Sequence, residues 1–262
     1  MPSSGLAIRS QAVAQTNASA LAFFALSASS SFASLAPASS FAWDERLVRV
    51  VAFARIDVGT DAACGVSTRG ASLCWGNAGY GRLGLAHLRN IGDTEPIWPF
   101  AMHDTGGRSI TGVCMGDFSS CAVARDGSAF CAGYGDFGQT GAGHTTNVDR
   151  MYPTGRVQIP EAAVAVACAE FHSCALLANG RVRCWGNNED GELGLGHTNN
   201  VGDDELPGLV PAISAFSPMA AMVAIDAGAY HTCAVATTGA VYCWGWNGYG
   251  QLGLGHTTAV GE

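Results

Sequence analysis

Glycine-rich stretches and paired cysteines are the residues whose types and spacing suggest chemistry in this sequence. The stretch Gly248–Gly253 reads G-Y-G-Q-L-G and fits G-x-G-x-x-G, a pattern typical of loops that cradle a dinucleotide pyrophosphate. Related stretches begin at Gly79, Gly133 and Glu189. A dinucleotide loop occurs once, between a strand and a long helix, whereas this pattern recurs with no helix start after it. It therefore predicts a repeated tight turn and no nucleotide cofactor.

Eight cysteines form four pairs with the same ten-residue spacing, and each pair brackets a glycine. A three-residue hairpin loop with a left-handed glycine would place the two cysteines of a pair directly opposite each other, within disulfide range. We therefore predict four cross-strand disulfides, with a reduced, buried pair as the alternative. The spacing is too wide for a structural zinc site. The predicted pairs and turn glycines are Cys64–Cys74 around Gly70, Cys121–Cys131 around Gly127, Cys174–Cys184 around Gly180 and Cys233–Cys243 around Gly239. Cys114 and Cys168 lie outside this pattern and are expected to be buried thiols.

Histidines and acidic residues also recur, and repeated His and Asp side chains could suggest a metal site. They belong to separate repeats, so a local hydrogen bond within each loop explains the histidines better. The acidic segment Asn199–Glu205 lacks EF-hand spacing and is expected to be a solvated loop. The segment Pro99–Ser109 breaks the repeat and contains His103 and Asp104, but two residues do not make an active site. We predict no catalytic residue and no metal ligand among them. The recurring residues are His87, His144, His197 and His256, near Asp93, Asp149, Asp203 and Asp204.

These residues lie on repeats that must be built from strands. The first cysteines of the four units are separated by 57, 53 and 59 residues. Each unit has an apolar stretch, a short run from the first cysteine, a turn, and a run to the second cysteine. The composition, rich in Gly, Val, Ala, Thr and aromatic residues, also favours strands. The repeat pattern predicts an all-β array with approximate units 46–105, 106–158, 159–217 and an incomplete 218–262.

The stretch His231–Gly255, HTCAVATTGAVYCWGWNGYGQLGLG, carries a specific resemblance. Its His-Thr entry, turn glycine, Trp-Gly pair and G-x-L-G-x-G tail resemble the regulator of chromosome condensation repeat. The Trp residues at the corresponding positions are Trp75, Trp185 and Trp244. The resemblance implies four-stranded antiparallel blades of a β-propeller that normally closes with seven, packed through these indoles. The cysteine-paired form resembles repeats in secreted bacterial or protist proteins.

Four units predict a partial propeller with open blade edges and a tendency to self-associate. Its predicted function is binding of a protein or glycan partner through blade loops, without catalysis. The alternative is a fragment of a regulatory propeller, acting as a guanine-nucleotide exchange factor for a small GTPase or as a ubiquitin-ligase scaffold. Light sensing is disfavoured, because Ala229–Thr232 lacks the Trp-Arg pair of the photoreceptor members.

Composition restricts the partners and the compartment. The chain has 262 residues, a formal net charge of −8 and no basic run, which argues against binding to nucleic acid. No apolar stretch is long enough to span a membrane. Residues 1–45 form an Ala- and Ser-rich arm, in which the apolar patch Ala20–Phe32 and Ala36–Ala38 resemble a signal peptide and its cleavage site. A transit peptide and a low-complexity arm are the alternatives. The expected location is secreted or cell-surface, with an organelle or the cytoplasm as the alternative.

Overall fold

The computed structural model describes residues 52–97, 102–213 and 221–261. The expected N-terminal arm, residues 1–45, lies outside these described residues, and its role as a signal or transit peptide stays a prediction. Within the described ranges, no helix has the length and apolar character needed to cross a membrane.

The described residues contain thirteen strands in four antiparallel sheets, and each sheet is one blade built from one repeat. This architecture confirms the all-β propeller prediction. Blade 1 contains β1 (Phe53–Val58), β2 (Ala62–Ser67) and β3 (Ser72–Gly76); blade 2 contains β4 (Ile110–Met115), β5 (Ser119–Ala124), β6 (Ala129–Gly133) and β7 (Arg156–Val157); blade 3 contains β8 (Ala163–Cys168), β9 (His172–Leu177) and β10 (Val182–Gly186); and blade 4 contains β11 (Met222–Gly228), β12 (His231–Ala236) and β13 (Val241–Gly245).

Each blade is organised by the hairpin between its second and third strands. In blade 3 the Gly180 amide donates to the Leu177 carbonyl at 2.9 Å, and the Leu177 amide donates to the Arg181 carbonyl at 2.9 Å. Gly180 has a φ of 77°. This conformation is unfavourable for a residue with a side chain but not for glycine. The loop therefore contains three residues and sets the register. The corresponding φ angles are 81° at Gly70, 83° at Gly127 and 84° at Gly239.

This register places the two cysteines of each hairpin opposite each other, and the structure joins them. Their Cα atoms lie 4.0 to 4.1 Å apart in all four blades. The bonds are Cys64–Cys74, Cys121–Cys131, Cys174–Cys184 and Cys233–Cys243. Each bond therefore closes its own hairpin.

The expectation that Cys114 and Cys168 are buried thiols is wrong for this structure, which joins them in a fifth disulfide. Cys114 lies in β4 and Cys168 lies in β8, which are the first strands of consecutive blades, and their Cα atoms are 5.4 Å apart. The two residues are 54 positions apart in the sequence, so repeat spacing does not pair them. The close approach arises from how blades 2 and 3 pack.

The outer part of the blades is less regular than four full strands. Blade 2 has a two-residue fourth strand, β7, which pairs with β6. In blade 1 the corresponding position is a single bridge between Leu73 and Met102, and in blade 3 the Ile213 amide donates to the Val182 carbonyl at 2.9 Å. Every blade also has a bridge from the last glycine of its third strand to the loop that follows: Gly76–Ile91, Gly133–Val148, Gly186–Val201 and Gly245–Val260. Short outer pairings still tie each connecting loop to its blade.

Candidate interaction surface

The glycine-rich stretches of blades 1 to 3 form turns that seat the next blade. Gly79–Gly81 forms a three-residue 3-10 helix, which is too short to present a helix N-terminus to a pyrophosphate. Gly194 has a φ of 67°, and a Cβ added there would lie 2.9 Å from Nε1 of Trp244. Gly141 has a φ of 65°, and its Cβ would lie 3.0 Å from Nε1 of Trp185. Each glycine therefore leaves room for the indole of the following blade, which is a packing role.

The structure corrects the alignment of the second glycine-rich stretch. Gly133 bridges Val148 just as Gly186 bridges Val201, so it ends a strand. The residue equivalent to Gly194 is Gly141, because both seat a tryptophan. The turn of blade 2 therefore occupies Asp136–Gly141, and the apparent fingerprint Gly133–Gly138 is offset from it. An aspartate stands where the first glycine of a dinucleotide loop belongs.

In the turns of blades 1 to 3, one backbone carbonyl accepts hydrogen bonds from side chains of the next blade. The Gln139 carbonyl accepts from Trp185 Nε1 at 3.0 Å and from Ser173 Oγ at 3.1 Å. The Glu192 carbonyl accepts from Trp244 Nε1 at 2.8 Å and from Thr232 Oγ1 at 3.0 Å. Both indoles are buried. Blade 2 has Ala132 at the tryptophan position, but Ser120 Oγ still donates to the Arg82 carbonyl. The predicted packing tryptophans Trp185 and Trp244 thus also position neighbouring blades.

Trp75 differs from the other two tryptophans because no described blade precedes blade 1. Its indole is half-buried and contacts Phe53, with ring centroids 5.9 Å apart. The position equivalent to Ser173 is Ala63, which has no hydroxyl to donate. Blade 1 therefore presents an aromatic, largely apolar face.

Two buried histidines, His103 and His172, occupy structural positions. His103 Nε2 lies 2.7 Å from the Leu83 carbonyl, which can only accept, so the proton is on Nε2. His103 Nδ1 then accepts from the Ser72 hydroxyl at 2.8 Å. Burial lowers the pKa of His103 to about 4, against the opposing effect of the Leu83 hydrogen bond. This Ser–His pair has the elements of a nucleophile and base, but it is buried and serves to hold residues 102–103 on blade 1.

His172 is similarly neutral. The Thr232 hydroxyl donates to the Glu192 carbonyl, so His172 Nε2 donates to Thr232 Oγ1 at 2.8 Å. Burial, with a smaller contribution from His231, lowers the pKa of His172 to about 3. This histidine supports the hydroxyl that joins blades 3 and 4, so it is part of the packing and not an acid–base group.

The four recurring loop histidines make the local hydrogen bonds expected of them. In each loop, Nδ1 accepts from the backbone amide two residues later: Arg89 to His87 at 3.3 Å, Thr146 to His144 at 3.3 Å, Asn199 to His197 at 3.2 Å and Thr258 to His256 at 3.2 Å. The repeated histidines therefore shape four separate loops.

Two other candidate segments are also accounted for by local contacts. Asp104 accepts from the Gly106 amide at 2.9 Å, which stabilises a turn beside His103. Asp203, Asp204 and Glu205 lie close together in blade 3. They are partly or fully exposed, and exposed acidic groups of this kind are common without an ion. Neither segment assembles a catalytic group.

A continuous row of aromatic rings crosses all four blades and is the feature that repeat analysis missed. We call it the aromatic row; it consists of Tyr80, Phe118, Tyr134, Phe137, Phe171, Tyr230, Trp246 and Tyr249. Neighbouring ring centroids are 5.0 to 6.3 Å apart, mostly edge-to-face, with Phe118 and Phe171 stacked at 5.4 Å. Tyr80 is 46% exposed and Tyr249 is 88% exposed. The row therefore begins and ends in solvent.

The row is built from two kinds of loop at the same end of the blades. Phe118, Phe171 and Tyr230 lie between the first and second strands of blades 2, 3 and 4, directly before the residue that starts the second strand. The remaining rings come from the turns after the third strands. The signal was present in the aligned segments GDFSS, AEFHS and GAYHT, where an aromatic residue recurs. Only packing of the blades shows that these rings touch.

Carboxylates accompany the aromatic row. Asp117 and Glu170 are half-buried, immediately precede Phe118 and Phe171, and line a depression of about 370 Å³ to which all four blades contribute. Asp136 accepts from the Tyr134 hydroxyl at 2.6 Å. Burial and a hydrogen bond to Glu170 raise the pKa of the Tyr230 hydroxyl, with Asp190 and Asp117 adding to the effect. The surface therefore combines aromatic rings with negative charge.

The four antiparallel blades, joined by a repeated carbonyl–indole contact, define a β-propeller repeat protein. The chain belongs to the regulator of chromosome condensation (RCC1) repeat family. Two profiles of this repeat match it, one over residues 110–139, 163–192 and 222–251 and the other over residues 126–176 and 179–235. Together these matches extend from residue 110 to residue 251.

Relatives of known function share only part of their length with this chain. The ultraviolet-B receptor UVR8 of Arabidopsis thaliana is 34% identical over 190 residues, which are 70% of this chain and 39% of the receptor. The secretion-regulating guanine nucleotide exchange factor of Bos taurus is 32% identical over 181 residues, covering 69% of this chain and 36% of that protein. Prp20p of Saccharomyces cerevisiae, whose binding to Gsp1p and histones has been described, has a similar structure with a TM-score of 0.61. That match has 21% sequence identity and covers 79% of this chain and 48% of Prp20p, so it shows the fold alone.

Proposed function

We propose that this chain is a non-catalytic interaction module that binds a protein partner through the aromatic row. The observation that carries this proposal is the continuity of the row across four blades, with exposed tyrosines at both ends. Large rings on loops provide contact area at a low cost in side-chain entropy, and Tyr and Trp are enriched at binding hot spots. The repeat-family relatives, a receptor and an exchange factor among them, support an interaction role at this coarse level.

Absence of catalysis is part of the same proposal. Ser72 and His103 form the buried nucleophile-and-base pair described above, and both of their polar groups are occupied in the packing of blade 1. The recurring histidines and glycines serve loops and blade contacts. The chemistry that repeat positions carry is therefore structural, which leaves the loop surface as the place for function.

Surface variants test the role of the row. The double variant Tyr80→Ser/Tyr249→Ser removes the exposed ends, and Leu209→Ser is the matched control because Leu209 is 76% exposed and lies outside the row. Pull-down from the native source, followed by quantitative mass spectrometry, should identify a protein retained by the wild type and the control but lost from the double variant. Equal retention of the partner by all three forms would contradict the proposal. Retention of a glycan from which all protein has been removed would contradict it as well.

We also propose that the chain functions in an oxidising compartment, as expected for a secreted or cell-surface protein. All ten cysteines are paired within the described residues, and such pairs persist in oxidising environments. Counting free thiols in the denatured native protein tests this location. We expect none, whereas ten titratable thiols would favour a cytosolic protein.

The outer faces of blades 1 and 4 support the proposal of self-association. Gly253 has a φ of 71°, like the indole-seating Gly194, but no described atom lies within 4 Å of the place where its Cβ would be. At the other end, Trp75 is half-buried, and Ile56 and Val58 in β1 are 63% and 67% exposed. The indole of one copy could fill the empty seat of another in a head-to-tail contact.

The alternative function is that of a regulatory propeller, and the identity to the bovine exchange factor favours one form of it. In that role the chain would accelerate release of guanine nucleotide from a small GTPase. Release of a fluorescent guanine nucleotide from a panel of small GTPases tests this directly. A ubiquitin-ligase scaffold would require the same partner-binding surface without catalysis in this chain, and is distinguished by whether the partner retained in the pull-down carries a ligase domain.

A further inference from the structure

The charge that accompanies the aromatic row indicates which kind of partner it fits. Asp117 Oδ1 accepts from the Thr60 hydroxyl, and Glu170 lies close enough to the Tyr230 hydroxyl to raise its pKa. Both of these partners are neutral, so neither offsets the negative charge of a carboxylate. Asp136 and Asp190 add negative charge nearby, since Asp136 bonds to Tyr134 and Asp190 acts on the Tyr230 hydroxyl.

The arginine that contacts the row is already engaged. The Arg82 guanidinium lies over Phe118, with its central carbon 5.6 Å from the ring centroid, and it donates to the carbonyls of Gly79 and Asp117. It is only 4% exposed. The Arg82 guanidinium thus fits between the face of the Phe118 ring and the Asp117 carbonyl. It leaves the carboxylates of Asp117 and Glu170 available to a cation from outside.

We propose that the aromatic row and the adjoining carboxylates bind a partner segment that carries arginine or lysine side chains. Ring faces attract cations through their quadrupole, and carboxylates attract them through charge, so two independent features select the same ligand. The net charge of −8 attracts a basic segment over a longer range. This inference rests on the proposed function, because it names the partner chemistry of the same surface.

A neutral glycan fits the surface less well. Sugar rings and cations both stack on aromatic faces, so the rings alone do not separate these two ligands. A neutral sugar would gain nothing from the net charge of the carboxylates. Charge complementarity therefore favours a basic peptide as the occupant.

Binding of a labelled peptide tests the inference with the full chain. The probe is a fluorescein-labelled peptide that alternates glycine with five arginines, and the uncharged comparison replaces each arginine by citrulline. Fluorescence anisotropy should show that the citrulline peptide binds at least about tenfold more weakly, as expected for loss of charge-assisted contacts. Equal binding of the two peptides would overturn the proposal.

Isosteric variants locate the site. Asp117→Asn/Glu170→Gln preserves the oxygen acceptors toward Thr60 and Tyr230 but removes both charges, and should weaken binding of the arginine peptide about tenfold. Asp203→Asn/Asp204→Asn makes the same change of charge in another loop of blade 3 and should weaken binding less than about twofold. Equal weakening by both pairs would show a general effect of net charge and overturn the assignment to this surface.

A cross-link adds a direct readout, because the chain contains no lysine. Carbodiimide coupling to a lysine version of the peptide should attach it to Asp117 or Glu170, as identified by mass spectrometry. Attachment confined to other carboxylates would overturn the inference. If the native partner requires Tyr80 and Tyr249 but is unaffected by Asp117→Asn/Glu170→Gln, the inference fails and the proposed function stands. If the partner is indifferent to the tyrosines, the proposed function itself fails.

Discussion

At the scale of single residues, blade 2 is joined to blade 3, and blade 3 to blade 4, by a backbone carbonyl that accepts two hydrogen bonds. The Gln139 and Glu192 carbonyls each accept from an indole and a hydroxyl of the next blade. Satisfying a buried carbonyl removes the desolvation penalty of an unpaired polar group, which is about 1 to 3 kcal/mol. The glycine two residues after each carbonyl, Gly141 or Gly194, only has to leave space for the indole. Residue types at repeat positions thus follow from contacts between blades.

The buried histidines predict a dependence of stability on pH. The folded-state pKa of His103, about 4, is below its ordinary value of 6.5, so its stabilising effect is fully present above pH 6.5 and is lost as pH falls toward 4. Within that window the free energy of unfolding should decrease by up to about 1.4 kcal/mol per pH unit for this imidazole. Burial, with a smaller contribution from His231, also lowers the pKa of His172, to about 3, so its effect acts in the same direction.

Urea unfolding at a series of pH values measures this effect. His103→Gln should make the decline shallower between pH 6.5 and 4, because glutamine does not take up a proton. The control is His256→Gln, which changes an exposed loop residue and should leave the slope unchanged. A slope that is the same for His103→Gln and the wild type would contradict the prediction.

At the scale of elements, the hairpin of each blade is defined by its own residues, whereas its surroundings differ. Gly180 and Gly239 have nearly the same φ, 77° and 84°. A Cβ at Gly180 would lie 2.5 Å from the Ala221 Cβ, while a Cβ at Gly239 would meet no described atom within 4 Å. The same turn is therefore packed against the next blade in one case and open in the other.

This matched pair separates backbone strain from packing. Gly239→Ala should cost about 1 to 2 kcal/mol, which is the cost of a left-handed conformation for a residue with a side chain. Gly180→Ala should cost that amount plus about 1 to 3 kcal/mol for the clash with Ala221. Urea unfolding at neutral pH measures both. Equal destabilisation would show that the chain accommodates the added methyl group without displacing Ala221.

The disulfide between blades and the disulfides within hairpins should also contribute different amounts to the free energy of unfolding. In the chain-entropy description, a bridge that closes a long loop restricts the unfolded state more than one that closes a short loop. Cys114–Cys168 spans 54 residues and each hairpin bridge spans 10. Removing the former as Cys114→Ala/Cys168→Ala should cost about 4 kcal/mol, against about 3 kcal/mol for Cys174→Ala/Cys184→Ala. A larger loss from the hairpin pair would contradict this ordering.

At the scale of the whole array of described blades, the faces at its two ends are exposed, whereas the equivalent faces of the inner blades are covered by a neighbouring blade. Ile56 and Val58 are exposed on β1, although equivalent residues in blades 2 and 3, such as Val113 and Val166, are partly buried against their neighbours. Uncovered apolar strands of this kind associate with one another or with another chain. The aromatic row lies across the loops and does not depend on these two faces being covered.

Self-association therefore has a specific expected signature. Sedimentation velocity over a wide range of protein concentrations should show larger species as concentration rises. Ile56→Lys should weaken this association about tenfold or more, because burying such a side chain contributes about 1.5 to 3 kcal/mol. Val164→Lys is the control, since Val164 is 51% exposed but lies on β8, inside the array of blades. Concentration-independent sedimentation of the wild type would contradict the proposal.

The sequence by itself determined the features that depend on neighbours along the chain. Turn length and a glycine at Gly180 set the register of β9 and β10, so pairing of Cys174 with Cys184 could be read from spacing. Recurrence of the glycine-rich stretch also argued against a dinucleotide loop, because such a loop occurs once in a domain and this stretch occurs in every repeat. The repeat itself indicated an all-β array, and its resemblance to a known family implied the propeller architecture.

Only the tertiary structure decided which residues of different blades meet. The Cys114–Cys168 bond, the seating of Trp185 by Gly141 and the contact of Phe118 with Phe171 all join residues more than 40 positions apart. Each depends on the angle and spacing between blades, and these are set by the packing of many side chains at once. No local period in the sequence encodes that packing, so the aromatic row and its carboxylates emerge as one surface only when the blades are assembled.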